Sequence, residues 1–136
     1  MQKRFLLLFI LAALLTNCNK ESAIDANAET ANWMSNLLKA NPTATIALKD
    51  IAIPGSHDAA MYLLQDCSLA NACNTQTQYL SMKDQLEAGL RMFDIRPILH
   101  NGKYYTQHAT DCDGFGCKGD IVENILTQTN TFLDSH

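Results

Sequence analysis

The sequence has no excess of positive charge: 10 Lys and Arg stand against 14 Asp and Glu, a formal net charge of −4. A nucleic-acid partner would demand a basic face, so that class is excluded. No run of like charges forms an acidic or basic tail. Nor is there an apolar stretch of the roughly 20 residues that a bilayer-spanning helix requires; the run at residues 5–15 (FLLLFILAALL) is shorter. Internal repeats and low-complexity tracts are missing too. The composition that remains, 136 residues with 47% apolar and 18% charged, is that of one globular domain.

The short apolar run has a meaning of its own. Lys3 and Arg4 precede it as a positive n-region, so residues 1–18 read as a secretory signal. Cys18 resembles the lipid-modified cysteine of a bacterial lipoprotein, although Asn17 holds the position usually given to Gly, Ala or Ser. An ordinary cleaved signal, with Thr16 and Cys18 or Ala26 and Ala28 at the cut, is the alternative. Residues 19–30 are small and polar and read as a tether. The expected location is outside the cytoplasm, as a membrane-anchored lipoprotein of a bacterial envelope or a secreted protein. In such an oxidising compartment Cys67 with Cys73, and Cys112 with Cys117, are candidates for two local disulfides. Zinc is the weaker reading, since no ligand histidines flank them.

Beyond the tether, residues 31–40 (ANWMSNLLKA) place Trp33, Leu37 and Leu38 at helical spacing, and Asn41-Pro42 stops that helix. Residues 46–53 (IALKDIAI) predict a first strand, ended by Pro54-Gly55. Residues 59–77 read as helix and loop without a period. Tyr79, Met82, Leu86 and Leu90 predict an amphipathic helix closed by Gly89. A second strand is expected over 91–99, a hairpin turn at Asn101-Gly102, and a third strand over 103–108. A glycine-rich loop (DCDGFGCKG) then leads to a helix capped by Asp120, with Glu123 three residues on. Ile121, Val122, Ile125, Leu126, Phe132 and Leu133 form its apolar stripe. The order is α/β. Three strands complete neither a barrel nor a broad sheet, so the chain is expected to be the N-terminal part of a larger fold.

Each expected strand ends in residues suited to chemistry. The first runs out at IAIPGSHD, presenting His57 and Asp58. The second puts Asp94 and Arg96 on one face near its end, and the third ends in His108. Singly, these are ordinary: a hydrogen-bonded surface histidine, an ion pair at a barrel end. Together they supply two imidazoles, two carboxylates and a guanidinium, the inventory for a phosphodiester reaction. One group activates an oxygen nucleophile, another protonates the departing oxygen, and a planar fork holds the phosphoryl oxygens. Histidine suits both proton roles because its ordinary pKa lies near neutrality.

The stretches NWMSNL, IAIPGSHDAA, QLEAGLRMFDIRP and YYTQHA resemble, in order and spacing, the X-domain of bacterial phosphatidylinositol-specific phospholipase C. Ser56 stands where the family more often has threonine. The resemblance implies a distorted TIM barrel, of which residues 31–136 hold the opening part. It implies cleavage of an inositol phospholipid to diacylglycerol and a cyclic inositol phosphate. His57 would be the general base and His108 the general acid; Arg96 would clamp the phosphate, Asp58 assist the acid, and Asp94 hold Arg96 and the substrate. The family's orienting carboxylate for the first histidine would lie beyond His136. Eukaryotic relatives place a calcium-binding carboxylate where this chain has Arg96, so no metal and no cofactor are expected. A monomer acting at a membrane surface on a phospholipid or inositol phosphate completes the expectation. The alternatives are a metal-dependent glycerophosphodiesterase, whose His-Arg-Gly start is missing, and an inactive exported lipoprotein of the same fold that binds lipid head groups or glycans.

Overall fold

A computed structural model describes residues 28–109 and 115–136. The signal, Cys18, Cys112 and the tether up to residue 27 lie outside them. Two short helices, α1 (Ala28–Ala31) and α2 (Trp33–Ala40), open the described chain, so α1 takes up the last residues read as tether. Further on come β1 (Gly55–Ser56), β2 (Gln65–Ser68), α3 (Ala72–Thr75), α4 (Met82–Glu87), β3 (Met92–Phe93), β4 (Pro97–His100), β5 (Lys103–Ala109), β6 (Gly116–Ile121) and α5 (Val122–Leu133). The fold is mixed α/β. Among the described residues no barrel is closed, and only β1 and β3 pair in parallel. The other four strands form an antiparallel sheet in the order β2-β6-β5-β4. No helix of the described residues is long and apolar enough to cross a membrane.

The core lies between α4, α5 and the turn after β1, where Ala59, Ala60, Met82, Leu86, Ile125 and Phe132 are buried together. Ser81 caps α4 by accepting from Asp84 N, and Gly89 (φ 91°) supplies the left-handed residue beyond its end. The helix is shorter than its apolar spacing predicts, and Tyr79 lies outside it. In α5 only Ile125 and Phe132 of the expected stripe are buried; Leu126 and Leu133 are exposed. The cap of α5 also differs from expectation. Ile121 is the N-cap residue, and Asp120 ends β6. The Asp120 carboxylate still serves the helix start, accepting from Ile121 N at 2.8 Å and Asn124 Nδ2 at 3.0 Å. Its other oxygen accepts from the Tyr62 hydroxyl. Burial pushes the Tyr62 phenol up, and the bond to Asp120 adds to that, so it stays a donor.

Three segments depart from the sequence reading. Residues 46–53 are not a strand: a 3-10 turn occupies Leu48–Asp50, and β1 starts only after Pro54. Its parallel partner β3 offers two register positions, Gly55↔Met92 and Ser56↔Phe93. The expected second strand is broken in two. The chain pairs with β1 through Phe93, crosses over at residues 94–96, and from Pro97 pairs antiparallel with β5. Asp94 N donates to Ser56 O at 2.9 Å and Gln107 N donates to Arg96 O at 3.0 Å, so the crossover bridges both sheets. The glycine-rich loop is in good part strand β6. Gly116 and Gly119 read as breakers but are demanded by close approach: a Cβ on Gly119 would lie 2.6 Å from Ala60 O and press on Thr106 Oγ1. The Asn101-Gly102 hairpin is as expected, with φ of 49° and 75° matching a two-residue turn of the primed type.

The disulfide pairing differs as well. Cys67 bonds to Cys117 across 50 residues, joining β2 to β6. Both local pairings are thereby replaced by one long-range bridge. Cys73 is exposed on α3.

Candidate active site

The turn after β1 is the foundation. Once Ser56 has paired with β3, the chain leaves the ladder, and Asp58 adopts a left-handed backbone (φ 44°) that aspartate tolerates better than most residues. Ala59 N donates to Asp94 O at 2.9 Å, fixing the turn to the crossover. The Asp58 side chain is thereby driven inward and is only 1% exposed.

Three side chains from separate parts of the chain meet this buried carboxylate. Arg96 Nε, from the crossover, lies 2.9 Å from Asp58 Oδ1. His108 Nδ1, near the end of β5, lies 2.9 Å from Asp58 Oδ2, and His57 Nε2 lies 3.4 Å from the same oxygen. Asp94 extends the cluster outward: its Oδ2 accepts from Arg96 Nη2 at 2.9 Å and faces His57 Nδ1 at 3.2 Å. All five residues singled out in the sequence are thus in one cluster. The contacts on Asp58 are close but poorly directed, and neither of its oxygens, nor His108 Nδ1, nor the buried Ser56 Oγ has an aligned hydrogen bond. Buried polar atoms are seldom left so, and they cluster where function requires it.

Coulomb attraction holds the cluster, and desolvation opposes it. Arg96 forks between two carboxylates, which suits its planar geometry. The hydrogen bond from Arg96 holds the Asp94 carboxyl below the usual carboxylate range. The sign follows directly. A folded-state pKa depressed below the unfolded one contributes stability that is fully present above about pH 4. That contribution fades as pH falls through the depressed value. In a carbon-detected NMR titration, Asp94 should titrate below an exposed aspartate, and Arg96→Ala should return it to the ordinary range.

His57, Asp58 and Asp94 also offer ligand atoms within 4.8 Å of one another, the spacing of a cation site. The neighbouring guanidinium weakens such a site. Arg96 already contacts both carboxylates, and a divalent ion among them would sit against a fixed positive charge. At 4 Å and an effective dielectric of 20, that repulsion is about 4 kcal/mol for each unit of charge.

Some residues that build the site left no signal in the sequence. Thr77, Gln78 and Gln85 donate to the carbonyls of Asp58, His57 and Ala59, yet read only as polar loop and helix positions.

Comparison with known proteins points one way. The chain is 33% identical over 130 residues to the PI-PLC X domain-containing protein 2 of Homo sapiens, covering 78% of this chain and 40% of that protein. It is 29% identical over 132 residues to the PI-PLC X domain-containing protein 3 of Danio rerio, covering 78% and 38%. Against the 1-phosphatidylinositol phosphodiesterase of Listeria monocytogenes it is 38% identical over 82 residues, covering 60% and 24%. The chain therefore spans well under half the length of the curated relatives it matches. No family model matches it, and no solved structure does.

Proposed function

We infer that the chain is the opening part of a phospholipase C X-type domain of the bacterial, metal-independent kind, and that the whole protein cleaves an inositol phospholipid. The carrying observation is the convergence of His57, Arg96 and His108 on the one buried carboxylate of Asp58. Similarity to a phosphatidylinositol phosphodiesterase supports the same reading.

In this reading the nucleophile is the substrate's own inositol 2-hydroxyl, adjacent to the phosphorus, so the protein supplies orientation and proton transfer. His57 takes the hydroxyl proton as the oxygen attacks phosphorus. Its contacts at 3.2 and 3.4 Å are longer than a committed charge-assisted bond, and its side chain is 66% exposed, so the ring is available to a substrate. His108 donates its proton to the departing diacylglycerol oxygen as the phosphorus–oxygen bond breaks. The products are diacylglycerol and a cyclic inositol phosphate. Arg96 neutralises charge on the phosphoryl oxygens, with Asp58 and Asp94 fixing its fork. The guanidinium takes the electrostatic place that a calcium ion would fill, hence the metal-independent assignment.

Export belongs to this reading, with Cys18 as the lipidated anchor and a monomeric domain working at a membrane surface. The Cys67–Cys117 bridge is of a kind that persists in oxidising compartments, which supports export. In this reading the remaining strands of a distorted barrel belong to the full-length protein. Incubating that protein with phosphatidylinositol vesicles in EDTA should release water-soluble phosphorus at the rate seen without chelator. Vesicle binding with no release would favour the inactive head-group binder, and release abolished by EDTA would overturn the metal-independent assignment.

A further inference from the structure

The turn that carries His57 and Asp58 has left the β-ladder; within it Asp58 O accepts from Met61 N at 3.0 Å, and side chains supply further donors. Three consecutive carbonyls receive side chains. Gln78 Nε2 donates to His57 O at 2.8 Å, Thr77 Oγ1 to Asp58 O at 3.0 Å, and Gln85 Nε2 to Ala59 O at 2.7 Å. A fourth bond, Gln76 Nε2 to Tyr62 O at 3.3 Å, holds the far end of the turn. Donors from residues 76–85 thus stitch down a backbone segment whose Asp58 is left-handed.

The stitching segment is itself anchored. Asn71 forms a reciprocal cap with Asn74 at the start of α3, and Thr75 Oγ1, buried, lies 3.1 Å from Cys117 Sγ. Cys117 is the register partner of His108 in the β5–β6 ladder and is bonded to Cys67. One side of this anchor therefore leads to the strand bearing His108, and the other leads through Thr77 and Gln78 to the turn bearing His57 and Asp58.

We propose that Thr77 and Gln78 are positioning residues for catalysis: by bonding the Asp58 and His57 carbonyls they set the distance and aim of His57 relative to His108. This rests on the phosphodiesterase reading above. Neither side chain need touch substrate. A displacement of about 1 Å in a positioned group costs roughly 10²-fold in rate, so the expected loss is in kcat with KM little changed.

The test uses the full-length protein and phosphatidylinositol vesicles. Thr77→Val replaces the hydroxyl with a methyl of similar size, and Gln78→Ala trims a half-buried side chain. Each should lower kcat about 10-fold and the pair nearer 100-fold, with KM within about 2-fold. Thr77→Ser should restore the rate. An unchanged kcat in the double variant, or failure of serine to rescue, overturns the proposal; if the double variant does not fold, Gln78→Ala alone decides it. Should the parent prove inactive, the phosphodiesterase reading fails separately. The clamp is then judged by hydrogen exchange at the Ala59 amide, which bonds Asp94 O. Faster exchange in the variants upholds it, and an unchanged rate refutes it.

Discussion

Arg96→Ala is expected to lower phosphodiester cleavage by about 10²- to 10³-fold, the usual consequence of removing one preorganised donor to developing oxyanion charge. The same substitution should also destabilise the fold. Asp58 is buried, and Arg96 Nε at 2.9 Å is one of its two closest cationic or polarisable neighbours. Leaving a buried charge without its partner costs about 3–5 kcal/mol. The low end applies here, about 3 kcal/mol, because His108 remains beside Asp58 and Arg96 is itself nearly half exposed. Arg96→Lys separates the two effects. Lysine keeps the charge, so most of the stability should return. It cannot fork between Asp58, Asp94 and a phosphate, so most of the activity should not. Urea unfolding and vesicle assays on the same preparations check both halves.

The second large effect concerns the imidazoles. His57→Ala and His108→Ala should each reduce the rate by about 10²- to 10⁴-fold, the range for a positioned proton donor or acceptor. Both act in one step, so the double variant should fall far short of the product of the single losses. Leaving-group dependence distinguishes their roles. From an inositol nitrophenyl phosphodiester the nitrophenolate leaves without needing a proton, so the His108→Ala loss should shrink greatly on that substrate. The His57→Ala loss should persist, since the attacking hydroxyl is unchanged. If both variants respond alike to the better leaving group, the division into base and acid is wrong.

Much of the cluster was legible because chemistry restricts residue choice at few positions. A His-Asp pair after a Pro-Gly stop, an Asp-x-Arg and a strand ending in histidine suit proton transfer and anion binding, and no strand core requires them. Helix α2 and the Asn101-Gly102 hairpin were legible from local rules alone. What escaped depends on partners distant in sequence. Strand β6 hides its nature because Gly116 and Gly119 are there for close approach to His108, Ala109 and Thr106. Strand β2 (QDCS) has little strand propensity and is tied to β6 by the Cys67–Cys117 bond, which neighbouring cysteines could not disclose. The break at residues 94–96 follows from a change of partner, from β1 to β5. That break also turns Asp94 and Arg96 onto the site. Thr77 and Gln78 were invisible for a plainer reason: a donor to a carbonyl 19 or 21 residues away has no sequence signature.

In the proposed function, the buried Asp58 gathers His57, His108 and Arg96 to make a cyclic phosphodiester without a metal. Phosphorus-31 NMR of the full-length protein acting on phosphatidylinositol vesicles in EDTA tests it most directly. The expected result is the growing resonance of a five-membered cyclic inositol phosphate, as bound phosphorus leaves the lipid. An intact, folded protein that yields only an open-chain phosphate, or yields nothing until calcium is supplied, would contradict it.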